Sequence, residues 1–143
     1  YDESDNYFSI TSPSPFSCDS QVCVSIENVN VSNGSGTLDI YMTNNEPVAG
    51  IQFHLDGITI ESIDDNSGSA SVFDFLDVNP TADWDADGFY DAGCNMILGI
   101  STGGDVIQES SGLLFSVDFT EYNDGDEICF EITNEEQENV VVV

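Results

Sequence analysis

Neither lysine nor arginine occurs anywhere in the 143 residues of this chain, and histidine occurs once. Ordinary domains devote about a tenth of their residues to the two basic types, so a whole class of contacts is missing. No side-chain salt bridge to Lys or Arg can form, and stability must come from burial, hydrogen bonds, covalent links or bound cations. Nucleic acid is excluded as a partner, because phosphate contacts need positive charge. The same repulsion argues against docking on anionic membranes. A trypsin-type protease finds no bond to cut. No apolar run approaches transmembrane length, residues 140–143 being far too short, so membrane insertion is not expected. There is no lysine nucleophile, no phosphate loop, and no Ser-His-Asp candidate beyond the lone His54, which is expected to face solvent. An enzyme is not expected.

What is present is acid. Twenty-eight Asp and Glu give a formal net charge of -28. Repulsion at that density destabilises a compact state unless salt screens it or divalent cations neutralise it. Hydrophobic residues still make up 40%, with nine Phe and five Tyr, so this is no disordered acidic tail. The length suits one domain with its own core. Paired carboxylates are abundant, but in so acidic a chain neighbouring pairs arise without design. A glycosidase needs one of them buried in a sugar-sized cleft, and nothing marks such a cleft.

Period-two alternation runs through the chain, broken by Gly, Asn, Asp and Ser clusters. Val22, Val24 and Ile26 share one face, opposite Cys23, Ser25 and Glu27. After the turn at residues 33–36, Leu38, Ile40 and Met42 point inward, then Ile51, Phe53 and Leu55. Further strands are expected at 58–63, 72–76, 96–101, along Leu113, Phe115, Val117 and Phe119, along Ile128, Phe130 and Ile132, and at 140–143. About nine short strands imply an all-β fold of two packed sheets, a sandwich or jelly roll. Residues 18–143 form that domain. Residues 1–17 are polar and Pro-punctuated, an arm or linker carrying Tyr1, Tyr7, Phe8 and Ile10. An arm that cannot bury these residues on its own domain can add a strand to the next copy; the alternative is a linker lying across its own sheet.

Three stretches, 23–29, 36–42 and 47–53, resemble a cohesin-like module, a kind of domain found in large secreted and surface proteins of aquatic microbes. Later pieces keep the order: Leu98-Gly99-Ile100-Ser101, Gly112-Leu113-Leu114 and Ile128-Cys129-Phe130. The resemblance covers roughly residues 20–133. It implies a jelly-roll sandwich of about nine strands, related to some carbohydrate-binding modules, whose relatives bind dockerins or polysaccharide or act as spacers in surface arrays. The chain departs from that pattern in an acidic insertion at 79–94.

That insertion holds the sharpest motif, Asp83-Trp84-Asp85-Ala86-Asp87-Gly88-Phe89-Tyr90-Asp91. Carboxylates of Asp83, Asp85, Asp87 and Asp91, with the Phe89 carbonyl at the seventh place and Gly88 at the sixth, suit one calcium ion. Position twelve, a bidentate Glu in an EF-hand, is here Cys94, so the loop is incomplete; the alternative is an acidic surface loop. Residues 123–127 are read as a hairpin turn. Four cysteines fit an oxidising compartment. They allow three pairings. Cys23–Cys129 is favoured, since both lie on the polar parity of family-like strands, leaving Cys18 to bind Cys94; a tight Cys18–Cys23 ring stays open. Sequons at Asn30 and Asn33 lie in a Ser/Gly/Asn-rich turn and support secretion. The chain begins at Tyr1 with no leader, so it is expected to be excised from a longer precursor. Trp84 and Tyr90 can stack on a sugar or pack the loop onto the sandwich. The function expected is an extracellular or cell-surface structural module, contacting copies of itself or neighbouring modules through the arm. The alternative is recognition of polysaccharide or a dockerin-like protein.

Overall fold

A computed structural model describes residues 8–11, 21–64, 68–78, 96–130 and 140–143. Ten strands are present among them: β1 Phe8–Thr11, β2 Val22–Ser32, β3 Ser35–Asn44, β4 Gly50–Asp56, β5 Thr59–Asp64, β6 Phe75–Val78, β7 Met96–Ile100, β8 Ser110–Thr120, β9 Cys129–Phe130 and β10 Val140–Val142. The sole helical piece among the described residues is a 3₁₀ turn at Ser69–Val72. The all-β expectation holds.

One sheet has the order β1-β2-β3-β8-β5, the other β10-β4-β7-β6, with β9 also pairing β4. All pairings are antiparallel except β1 with β2. The core draws on both sheets: Val24, Leu38, Ile40, Phe115 and Val117 from the first, Ile51, Phe53, Leu55, Ile97 and Val141 from the second. Phe53 meets Phe115 from the opposite sheet at 6.4 Å between ring centres and Phe130 edge-on at 5.5 Å, a geometry that adds to area burial.

The β2–β3 hairpin closes at Asn33-Gly34, both in the left-handed region (φ 54° and 80°). That pair of positive angles is what a two-residue turn matching the strand twist requires. A bulge follows, where Asn28 and Val29 together oppose Leu38 and Asn28 takes φ 52°. Gly36, paired with Val31, has no room for a side chain: a Cβ there would lie 2.0 Å from the Asn30 carbonyl oxygen.

Asn44 closes the other end of β3. It is buried, and its amide donates to the carbonyls of Glu46 (2.9 Å) and Gln108 (3.0 Å) while Ser110 donates to its Oδ1 (3.3 Å). A polar core residue satisfied on both sides locks the β7–β8 connection to the first sheet.

Four sequence expectations need correction. Strict alternation put Leu113 inward, but a register shift between Ile40 and Tyr41 inserts a bulge in β8; Leu114 fills the core and Leu113 is half-buried. A strand expected at 72–76 begins only at Phe75. The 3₁₀ turn before it packs Ala70 and Phe73 into the sandwich end, and the Gly68 backbone approaches β8 too closely for a Cβ. Residues 123–126 do make a turn, with Asp126 N donating to Asn123 O at 2.9 Å. It joins β8 of one sheet to β9 of the other, so it is a crossover and not a hairpin. Finally, His54 lies opposite Phe53 in parity, away from the core, yet it is fully buried beside its register partner Met96.

Candidate functional site

The first sheet ends in an edge built from β1 on β2. Phe8, Ser9, Ile10 and Thr11 pair in parallel with Val22, Cys23, Val24 and Ser25. Thus two residues expected to serve an assembly arm, Phe8 and Ile10, lie in a strand against this chain's own sheet; Tyr7 lies outside the described residues. Among the described residues, no strand lies beyond β2 from Ile26 to Ser32.

Behind that edge, Cys23 is fully buried and disulfide-bonded. Cys129, half-buried on β9, is outside that bond. The Cys23–Cys129 pairing is therefore not formed, an outcome that polar parity alone does not reveal. Cys18 and Cys94 lie outside the described residues.

The outer face of the same sheet carries a hollow of about 260 Å³ lined by Ser25, Glu27, Asn28, Tyr41, Thr43, Ser111 and Gly112. Register explains the set: Ser25 faces Tyr41 across β2–β3, and Thr43 faces Ser111 across β3–β8. The two hydroxyls of Thr43 and Ser111 lie 2.7 Å apart. Asn28 donates its amide to Asp39 at 2.9 Å, and Ser116 donates to the other Asp39 oxygen at 2.7 Å. Ser25 is 1% exposed and its Oγ has no hydrogen-bond partner. No sequence signal singled out this hydroxyl, because an alternating polar residue on β2 reads as solvent-facing.

A second, open hollow lies between β5 and the β8–β9 crossover, lined by Asp56, Thr59, Glu121, Asn123 and Asp126. Thr59 donates its hydroxyl to Glu121 there. Among the described residues no group of three or more His, Cys, Asp or Glu is placed to hold a metal. The expected calcium ligands Asp83, Asp85, Asp87, Phe89 and Asp91, with Trp84 and Tyr90, lie outside the described residues. Both sequon asparagines are exposed, Asn30 on β2 and Asn33 in the hairpin turn.

Near the β6 start, Thr102 holds Asp74 through both its hydroxyl and its backbone N–H, the latter at 2.8 Å. The hydroxyl bond first, then the backbone bond, keep the Asp74 carboxyl below its ordinary value. On the outer face of the second sheet, Val142, Ile100 and Phe75 form one exposed apolar row, with Gly50 between Val142 and Ile100. No helix among the described residues is long and apolar enough to cross a membrane. No known protein family, curated protein or solved structure matches the chain.

Proposed function

We propose that this chain is a non-enzymatic extracellular module, a repeat or subunit of a surface fibre, joined to its neighbour by strand addition at the β2 edge. The observation that carries the reading is the β1–β2 pairing. A parallel neighbour needs no tight turn to its partner strand, so the same bonds can be made by the arm of another copy. Ten residues, 12 to 21, separate the two strands. Fully extended they reach about 33 Å, against about 13 Å for a four-residue strand. That connector is long enough to redirect the arm outward, and exchange of identical elements is a low-cost route to assembly. When the exchange runs head to tail without closing, it gives a filament.

The strand orders fit a jelly-roll path, in which the chain crosses between sheets after β3, β4, β5, β7 and β8. A calcium ion on Asp83, Asp85, Asp87, the Phe89 carbonyl and Asp91 would supply countercharge that no side chain provides, and the cysteines and sequons suit a secreted protein.

Deleting residues 1–17 tests the proposal. The full chain, in seawater-like salt with calcium, is expected to form head-to-tail species by sedimentation and electron microscopy. The shortened chain should stay monomeric and bind one synthetic peptide of residues 1–17. A monodisperse full chain whose shortened form ignores the peptide would overturn it. A second reading, recognition of polysaccharide or a dockerin-like protein, is favoured by the exposed row Val142, Ile100 and Phe75. Silence of the folded chain on glycan arrays and in pull-downs would remove it.

A further inference from the structure

We infer that the hollow on the outer face of β2, β3 and β8 is a socket for a basic side chain of a partner protein, arginine before lysine. The hollow adjoins the β1–β2 pairing, in which Thr11 lies opposite Ser25, and the inference takes that pairing as formed.

The starting point is the Ser25 hydroxyl. It is buried on a face of the sheet that points away from the core, and it has no partner. An unsatisfied buried hydroxyl is costly, and native structures rarely leave one without a reason. Around it stand the Glu27 carboxylate, the Tyr41 ring and the paired hydroxyls of Thr43 and Ser111. Gly112 has open space where a Cβ would stand, so nothing from β8 fills the hollow at that point. Asn28 donates one amide proton to Asp39, and its side-chain carbonyl oxygen is an acceptor.

The offer is therefore mostly of acceptors and a π face. An anion is excluded by Glu27 and by the charge of the whole chain. A hard divalent ion wants several oxygen ligands including carboxylates, and only one carboxylate lines the hollow. A guanidinium group fits each part: its five donors match Glu27 in a fork, give Ser25 Oγ a proton to accept, and its plane stacks on Tyr41. A volume of about 260 Å³ falls below the roughly 300–1,000 Å³ of pockets that engulf drug-sized ligands. It admits one side-chain head and not a folded segment. Because these 143 residues hold no Lys or Arg, a second copy of this stretch cannot supply that group. Contact with Ser25 Oγ requires a rim side chain to turn aside, which Glu27 and Tyr41 can do about their own torsions.

The test is NMR titration of the full chain with N-acetyl-arginine methylamide, its lysine counterpart and the uncharged citrulline counterpart. It is run in about 1 M salt, where the screening length is about 3 Å and diffuse attraction is suppressed. The arginine compound should shift the amides of Ser25, Tyr41 and Ser111 and the Tyr41 ring saturably, more tightly than lysine. Citrulline should fail. Glu27→Gln should weaken binding about tenfold and Tyr41→Leu should weaken it further, with unchanged spectra elsewhere reporting intact folds. Shifts that never saturate, or that survive both substitutions, would overturn the inference. So would a neutral hexose that saturates the same amides.

Discussion

At the residue scale, the lack of basic side chains hands ordinary structural tasks to hydroxyls and amides. Asp74 is the clearest case. The sequence offers it no Lys or Arg, and Thr102 donates to it from both hydroxyl and backbone N–H. Since these bonds favour the charged form, the folded-state pKa lies below the unfolded one. The contact therefore stabilises the fold above pH 3.8, the unfolded value, and is lost as pH falls through the lower folded value. Asp74→Asn should be less stable than the parent at neutral pH in urea titrations, with the gap closing as the solution is acidified below pH 3.8. A gap that persists at low pH would show that the amide fails there for reasons unrelated to charge. His54 shows the limit of single-residue reading. Its parity was legible from Phe53 and Leu55, but its full burial beside Met96 is a matter of tertiary packing, and no local pattern reports that.

At the scale of elements, nearly every strand was readable because apolar residues alternate with polar ones wherever one face is buried. The failures fall where that period breaks. The β8 bulge exchanges Leu113 for Leu114, and the 3₁₀ turn at Ser69–Val72 replaces the start of an expected strand. β1 was legible as apolar alternation at Phe8 and Ile10 but not as a sheet member, since a parallel partner beyond a ten-residue connector leaves no turn signal. The β2 edge itself is divided. Its first half, Val22–Ser25, is regular and accepts β1; its second half carries the bulge, Asn28 at positive φ and the Asn30 sequon. Bulges and bulky polar groups are means by which edge strands avoid indiscriminate pairing, and β1 pairs only the four residues before them. The bulge depends on Gly36. In Gly36→Ala the new methyl would meet the Asn30 carbonyl at 2.0 Å and the Phe119 ring at 2.9 Å. Backbone cannot yield as a side chain tip can, so the loss should reach at least about 1–3 kcal/mol. Thermal unfolding of this variant within error of the parent would mean the hairpin relaxes elsewhere.

At the scale of the whole molecule, a charge of -28 with nothing to offset it sets the conditions in which the fold is stable. In ordinary proteins salt both screens repulsion and weakens ion pairs; here the second effect is almost absent, since the sequence has no Lys or Arg to lose. The melting temperature should therefore rise steadily with sodium chloride, without the early fall that broken salt bridges would produce. A bound divalent ion would act differently, because it stabilises by mass action on a site and saturates. Raising calcium at constant ionic strength should add an increment that levels off, that a chelator removes, and that the pair Asp85→Asn and Asp87→Asn abolishes while leaving the sodium response intact. At a calcium concentration about a hundredfold above its dissociation constant, the increment would correspond to about 2.7 kcal/mol. If calcium, magnesium and sodium at matched ionic strength give one curve, the 83–91 loop holds no ion, and screening alone counters the repulsion. Such a result would leave the sandwich intact but would remove the cation from assembly, because neighbouring copies of like charge would then approach only as far as salt permits.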